Sequence, residues 1–364
     1  MPVPKRRLLL RHLLPITLVW LATACSHVQA PVLNPDGPGP EWPAPPDPPR
    51  IRYIGELRGA NDMQGDQGNL SRFFAALFGE SERIELVAPR SVVRLRGSQV
   101  VWIGDTGSHA LHRFDLAASR YRRVLEIGSR PILSPVSLAP GPGATLLVCD
   151  SIQQSITLLD QESGDLVRNI PLPAEILRPV GVAFDSQSSV IYVVDAVAHD
   201  VKVVDLDGRL LRTLGKRGTK PGEFNYPSSI AWDGHLLWVT DSGNHRVQAL
   251  DPMGHCLKTL GRAGDAPGDM ALPKSVALDS EGHIYVVDAR FENIQVFSPD
   301  GDLLMSLGEE GHGPGQFWLP GGIFIDEHDW IWVCDPYNKR VQVFRYLKPT
   351  PGSLSPQSGA DEMP

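Results

Sequence analysis

Cysteine is scarce and positive charge is in deficit: the 364 residues hold four cysteines and a formal charge of −8. There is no CxxC pair, no G-x-x-x-x-G-K-[ST] loop and no convincing Ser-His-Asp pattern, so thiol-redox, P-loop and serine-nucleophile chemistry have no motif here. An acidic chain is a poor partner for nucleic acid, whose phosphates draw lysine and arginine. A membrane-crossing run is also missing. The apolar stretch Leu13 to Ala24 has twelve residues, against the roughly 20 that a spanning helix needs. What the chain does have is 68 glycines and prolines with 42% hydrophobic residues. That mixture provides a core but favours many short strands and turns over long helices.

The short apolar stretch has its own meaning. Lys5, Arg6, Arg7 and Arg11 precede it, and LATAC ends it with small residues before Cys25. A basic region, an apolar region and a small-residue site together read as a signal peptide, residues 1–24. The LATAC site resembles the lipobox of bacterial lipoproteins, with Ala22 where leucine is commoner. That resemblance implies lipidation of Cys25 and an extracytoplasmic, lipid-anchored protein. Ser26 follows the cysteine, which implies sorting to the outer membrane if the host is Gram-negative. Removing residues 1–24 takes away four basic groups and no acidic one, leaving −12. Residues 25–49 then hold the lipidated cysteine and a proline-rich stretch, PVLNPDGPGPEWPAPPDPP (31–49), expected to be an extended stand-off spacer.

From residue 88 a repeat takes over. An aspartate ends an apolar run in VVWIGD (Asp105), LLVCD (Asp150), IYVVD (Asp195), LWVTD (Asp241), IYVVD (Asp288) and IWVCD (Asp335), at intervals of 45, 45, 46, 47 and 47. A proline opens each unit: Pro89, Pro135, Pro179, Pro227, Pro273 and Pro320. Periods of this size belong to propellers and solenoids. In the fifth unit SVALD, HIYVVD, IQVFS and LLMSLG read as four strands, with the turn SPDG between the third and fourth. One such unit cannot bury both faces; six around an axis can. The loop frame G-x-x-P-G-x-[F/M]-x-x-P occurs at 218–227, 264–273 and 311–320. It is expected to cross from one unit to the next, pinned by Phe224, Met270 and Phe317.

The YVVD…IQVFSPDG…LGxxGxxPGxF pattern resembles the NHL repeat, a β-propeller blade. It covers about residues 88–348, most clearly in units three to six. The resemblance implies an all-β, six-bladed propeller of four-stranded blades. The sixth unit stops after VQVFRYLK (341–348), and RIRYIGELRG (50–59) resembles a fourth strand, so an N-terminal strand is expected to close the ring. Residues 60–87 are an insertion in which NLSRFFAALFGE is expected to form a short helix, and 349–364 a disordered tail.

Site candidates follow from the repeat. One aspartate per blade forms too wide a ring to share a calcium ion, so these residues are expected to bond turn amides. His109, His199 and His245 share one repeat position, with Gln154, Glu292 and Lys339 in the other units. They are expected to be solvated loop residues rather than zinc ligands. Cys149, Cys256 and Cys334 are expected to be unpaired and mostly buried. Some NHL relatives are enzymes. Peptidylglycine amidating lyase holds zinc with axial histidines, some directly after the proline of an inner strand. Here those positions are Arg90, Val136, Val180, Ser228, Lys274 and Gly321, so no catalytic residue, metal or cofactor is carried over. Arg90 and Lys274, with Ser91, Ser228, Ser229 and Ser275, are expected at one channel mouth, where they suit an anionic small molecule. The function expected is a non-catalytic platform that binds an envelope protein. The alternatives are an axial lyase or hydrolase, of the amidating-lyase or lactonase kind, and a binder of an anionic small molecule.

Overall fold

The computed structural model describes residues 33–63 and 84–348. The signal peptide, Cys25, the insertion helix and the tail after 348 lie outside the described residues. Six sheets follow the six repeats. In the fifth, Pro273–Leu278, Ile284–Asp288, Asn293–Phe297 and Leu303–Leu307 pair antiparallel in chain order. The second strand, IYVVD, is buried at every position, because both of its faces meet neighbouring blades. The outer strand, LLMSL, has its second and fourth residues exposed. Helical structure among the described residues is confined to three short 3-10 turns.

Apolar faces weld each blade to the next. Trp238, Val247 and Leu260 of blade 4 pack on Val276, Val286 and Phe297 of blade 5. Leu57, Trp332 and Val341 of blade 6 pack on Val92, Ile103 and Phe114 of blade 1. The first and last blades are therefore neighbours.

Blade 6 is built from both ends of the chain. Ile51–Leu57 pairs antiparallel with Arg340–Tyr346, from Ile51 opposite Tyr346 to Leu57 opposite Val341. The proline-rich stretch departs from the stand-off spacer expected of it. Glu41–Trp42 adds a fifth strand outside Ile51–Leu57, and Leu33 bridges to Gly55. The Trp42 ring stands edge-on to Phe344 at 5.7 Å, and Arg52 meets Glu41 at 2.6 Å. Leu33 and Trp42 supply apolar anchors inside an otherwise polar, proline-rich composition. An edge strand is also where proline's missing N–H is tolerated.

The repeated loop is the crossover between blades. Phe224, Met270 and Phe317 are fully buried at three successive blade junctions. The glycines after the loop prolines, Gly222, Gly268 and Gly315, have φ of 78°, 86° and 74°, which a side chain would strain. Buried glutamines of the third strands grip these loops. Gln248 accepts from Gly222 N at 2.9 Å and donates to Glu223 O at 2.9 Å. Gln342 accepts from Gly315 N at 2.9 Å and donates to Gln316 O at 2.7 Å. Arg340, 1% exposed, adds bonds to Asp335 and to the carbonyls of His312, Gly313 and Gln316.

In blade 1 the glutamine position holds His112. It is fully buried, 3.0 Å from Ser108 Oγ and 2.6 Å from Tyr121 OH. Burial pushes its pKa down to about 4, against a partial upward pull from Asp105.

Two expectations follow. A chain starting at residue 50 should be less stable than one starting at 26 by about 3 kcal/mol, the value of uncovering Leu33 and part of Trp42. Equal denaturant midpoints would mean that the stretch contributes nothing. The second concerns pH. Unfolded His112 takes a proton near 6.5 and folded His112 only near 4, so the unfolded state binds more protons between these values. Stability present above pH 6.5 is therefore lost as pH falls toward 4. Measured by urea unfolding, the stability difference between His112→Gln and the parent should move by about 3 kcal/mol in favour of the variant across that window. A pH-independent difference would assign the titration elsewhere.

Candidate functional site

The repeated aspartates are framework. Asp105 accepts from Val87 N and Ala88 N at 2.6 and 2.9 Å. Asp288 accepts from Ala271 N and Leu272 N at 2.7 and 3.0 Å. In blades 4 and 6 the same carboxylate also takes side-chain donors: Asn244 and Arg246 on Asp241, Asn338 and Arg340 on Asp335. Each of the six holds an amide of the crossover entering its own blade.

The three histidines are clasps; His109 is exposed as expected of a loop residue, His245 is half-buried and His199 is buried. His109, Gln154, His199, His245, Glu292 and Lys339 all have φ between 49° and 59°. This left-handed turn aims the side chain at the next blade. His109 Nδ1 donates to Leu133 O at 2.5 Å and His245 Nδ1 to Ala271 O at 2.8 Å, while His199 Nδ1 accepts from Tyr226 N at 2.9 Å. His199 is only 5% exposed. Each histidine serves a different junction, so they do not converge. Among the described residues no three histidine, cysteine or carboxylate side chains cluster as metal ligands. Cys149 and Cys334 are unpaired and buried, which pushes both thiols up; Cys256, in an outer strand, is unpaired and half-buried rather than buried.

The inner strands enclose an axial cavity of about 410 Å³. Its mouth follows from a register shift. In blades 1 to 5 the opening proline pairs with the repeat aspartate, the residue two further on pairs with the aspartate's predecessor, and the residue between is a bulge. A bulge re-aims its side chain. The bulge residues are Arg90, Val136, Val180, Ser228 and Lys274; with Gly321 of blade 6 they all line the cavity. Two residues deeper sits an aliphatic waist of Val92, Leu138, Val182, Ile230, Val276 and Ile323, each no more than 8% exposed. Phe184 and Trp232 line the far end.

The serines expected at the mouth line the same cavity, but their hydroxyls face sideways. Ser91 Oγ accepts from Leu138 N of blade 2 at 2.9 Å, and Ser137 Oγ from Val182 N of blade 3 at 3.2 Å. Ser229 bonds Ser275 at 3.0 Å, and Ser275 Oγ accepts from Ile323 N at 3.4 Å. Ser228 donates to Lys274 O at 2.8 Å. These bonds staple inner strand to inner strand. Gly322 fills the equivalent place in blade 6, where a Cβ would lie 2.3 Å from Arg90 O.

Arg90 and Lys274 are different. Among the described residues neither makes an ion pair. Arg90 is an exposed side chain at the mouth of the channel, with protein crowded around it. This desolvation is the main cause holding its pKa below the usual arginine value, and Arg178 pushes the same way. Lys274 is lowered first by desolvation and then by Arg90. Asp288 pulls Lys274 back up only in part, its oxygens being occupied by amides. Blades 5 and 1 flank blade 6, so the two cations look across Gly321; a Cβ there would sit 3.8 Å from Arg90 Nη1. Arg178 is the member of this cluster that the sequence reading missed. Its signal was its place directly before Pro179, one residue outside the ring of opening prolines.

A family model for the NHL repeat matches residues 224–250, and one described as a 6-bladed beta-propeller matches 272–346. No curated protein matches the chain in sequence. Among solved structures, a protein of unknown function from Bacteroides thetaiotaomicron is similar at 15% identity and a TM-score of 0.59, over 81% of this chain and 75% of that one. A streptogramin B lyase is similar at 13% identity and 0.51, over 72% of this chain and 94% of the other. A catalytically inactive virginiamycin B lyase from Staphylococcus aureus, with quinupristin, is similar at 14% and 0.52, over 72% and 96%. At these identities the structural likeness speaks of fold alone. With its six repeats folded into six sheets around one channel, the chain is a six-bladed β-propeller that carries a match to the NHL repeat.

Proposed function

We propose that this propeller is an exported, non-catalytic binding protein of the cell envelope, anchored by lipid at Cys25, whose axial channel receives an anionic group of its partner or ligand. The observation that carries this reading is the pair Arg90 and Lys274: two mutually repelling, desolvated cations at the mouth of a cavity, with no described carboxylate paired to either. Such a pair adds nothing to stability by itself, since two like charges at one channel mouth repel. A bound anion relieves both the desolvation and the repulsion. The lyase and lactonase alternatives need acids, bases or metal ligands at the axis. The six bulge positions carry no histidine, cysteine or carboxylate, and the acidic residues that line the far end, Asp233 and Asp279, are bonded to turn amides.

The test is thermal unfolding of mature chain 26–364 in citrate or phosphate against chloride at matched ionic strength. The polyvalent anions should raise the melting temperature by several degrees, and Arg90→Met with Lys274→Met should abolish that rise. Without added anion the double variant should melt no lower than the parent, because the repulsion is gone. An anion effect of equal size in both proteins would remove the mouth from consideration.

A further inference from the structure

The channel is polarised along its length, and this specifies the ligand more closely than its charge does. At the near end stand Arg90 and Lys274, with Arg178 close enough to affect Arg90. Next come the six aliphatic residues of the waist, from Val92 in blade 1 to Ile323 in blade 6. At the far end are the aromatic faces of Phe184 and Trp232, both half-buried. Asp233 and Asp279 also line that end. Asp233 accepts from the amides of His235 and Leu236 and from Trp238 Nε1; Asp279 accepts from the amides of Glu281 and His283 and from Tyr285 OH, and contacts His283 Nδ1 at 2.8 Å. The far carboxylates thus repel an anion without offering a free partner to a cation. A small inorganic anion would use the mouth and leave the apolar waist unfilled. The cavity, about 410 Å³, lies within the range of ~300–1,000 Å³ that buries an organic ligand.

We infer that the channel takes an amphipathic carboxylate, its anionic head between Arg90 and Lys274 and its hydrocarbon body passing through the aliphatic waist toward Trp232. This rests on the anion-binding reading above and adds the apolar body and its direction. The waist residues come from six different strands and are aliphatic in every blade; each presents a narrow edge to the channel, being at most 8% exposed, and Ser91, Ser137, Ser229 and Ser275 share the wall with them. Burial of each added methylene is worth roughly a fourfold gain in affinity.

The experiment is calorimetric titration of mature chain 26–364, and of the Arg90→Met, Lys274→Met double variant, with acetate, butyrate, hexanoate, octanoate, inorganic phosphate, octylamine and 8-aminooctanoate. The inference expects affinity to climb from acetate to octanoate, to fall at least tenfold for octanoate in the double variant, and to be weaker for octylamine and 8-aminooctanoate than for octanoate. Phosphate or acetate binding as tightly as octanoate, and lost in the double variant, would overturn the amphipathic ligand while leaving the anion site standing. If 8-aminooctanoate binds more tightly than octanoate, the far end takes a cation and the apolar body is wrong. Octanoate binding that survives in the double variant places it elsewhere and overturns the inference. Binding of no anion at all sinks both readings. The chain-length series on the parent protein requires no substitution, so its outcome stands whatever the variant does.

Discussion

The bond from one buried carboxylate to the loop that enters its own blade is the constraint on which the rest depends. Each second strand ends in an aspartate whose oxygens accept from amides of the crossover arriving from the blade before. A crossover runs between sheets and has no ladder to satisfy its N–H groups. The aspartate supplies the missing acceptors, and a hydrogen bond to a charged group is worth roughly 1.5–3 kcal/mol. Repeated six times, this sets where each inner strand begins, and hence how far each blade stands from the axis.

The channel mouth is a by-product of that register. With the opening proline held opposite the aspartate, the following residue bulges and loses its cross-strand partner. Its side chain is the part of the inner strand that blade packing does not dictate. The next residue is again constrained, as serine or glycine at the lateral contact with the neighbouring strand. Packing therefore holds the proline, serine-or-glycine and aliphatic tiers of the inner strand nearly constant and leaves the bulge tier free, and there the chain places Arg90, Val136, Val180, Ser228, Lys274 and Gly321. Likeness of fold to distant propellers consequently says little about function, since the tier at the channel mouth is one that the fold does not specify.

The repeat was legible because its markers are covalent and periodic: aspartate, proline and the P-G loop recur at fixed offsets, and each maps to one hydrogen-bonding task. Arg90 and Lys274 could be placed at one mouth by counting from the prolines. Orientation was not legible. Ser91, Ser229 and Ser275 share the mouth in sequence but turn sideways to the next inner strand, a consequence of the bulge that spacing does not reveal. His199 and its equivalents looked like loop residues, and only the left-handed backbone turns them onto the neighbouring blade. The proline-rich stretch misled for a different reason. Composition averages over residues, and two apolar side chains, Leu33 and Trp42, suffice to dock seventeen residues (33–49) along an edge.

Blade 6 ties assembly to the site. Arg90 belongs to blade 1 and Lys274 to blade 5, so their separation is set by whatever stands between them. What stands between them is the blade whose inner strand, Ile323–Ile325, is short and whose outer strands, Ile51–Leu57 and Glu41–Trp42, come from the other end of the chain. Arg340, on the strand next to Ile51–Leu57, bonds both Glu56 of that strand and Asp335 of its own blade, at 2.8 and 2.9 Å. The N-terminal strand, the crossover loop and the repeat aspartate thus meet at one buried guanidinium. The two mouth cations reach their facing positions across Gly321 when that blade is in place. Ring closure and the approach of the two cations at the mouth therefore both run through blade 6.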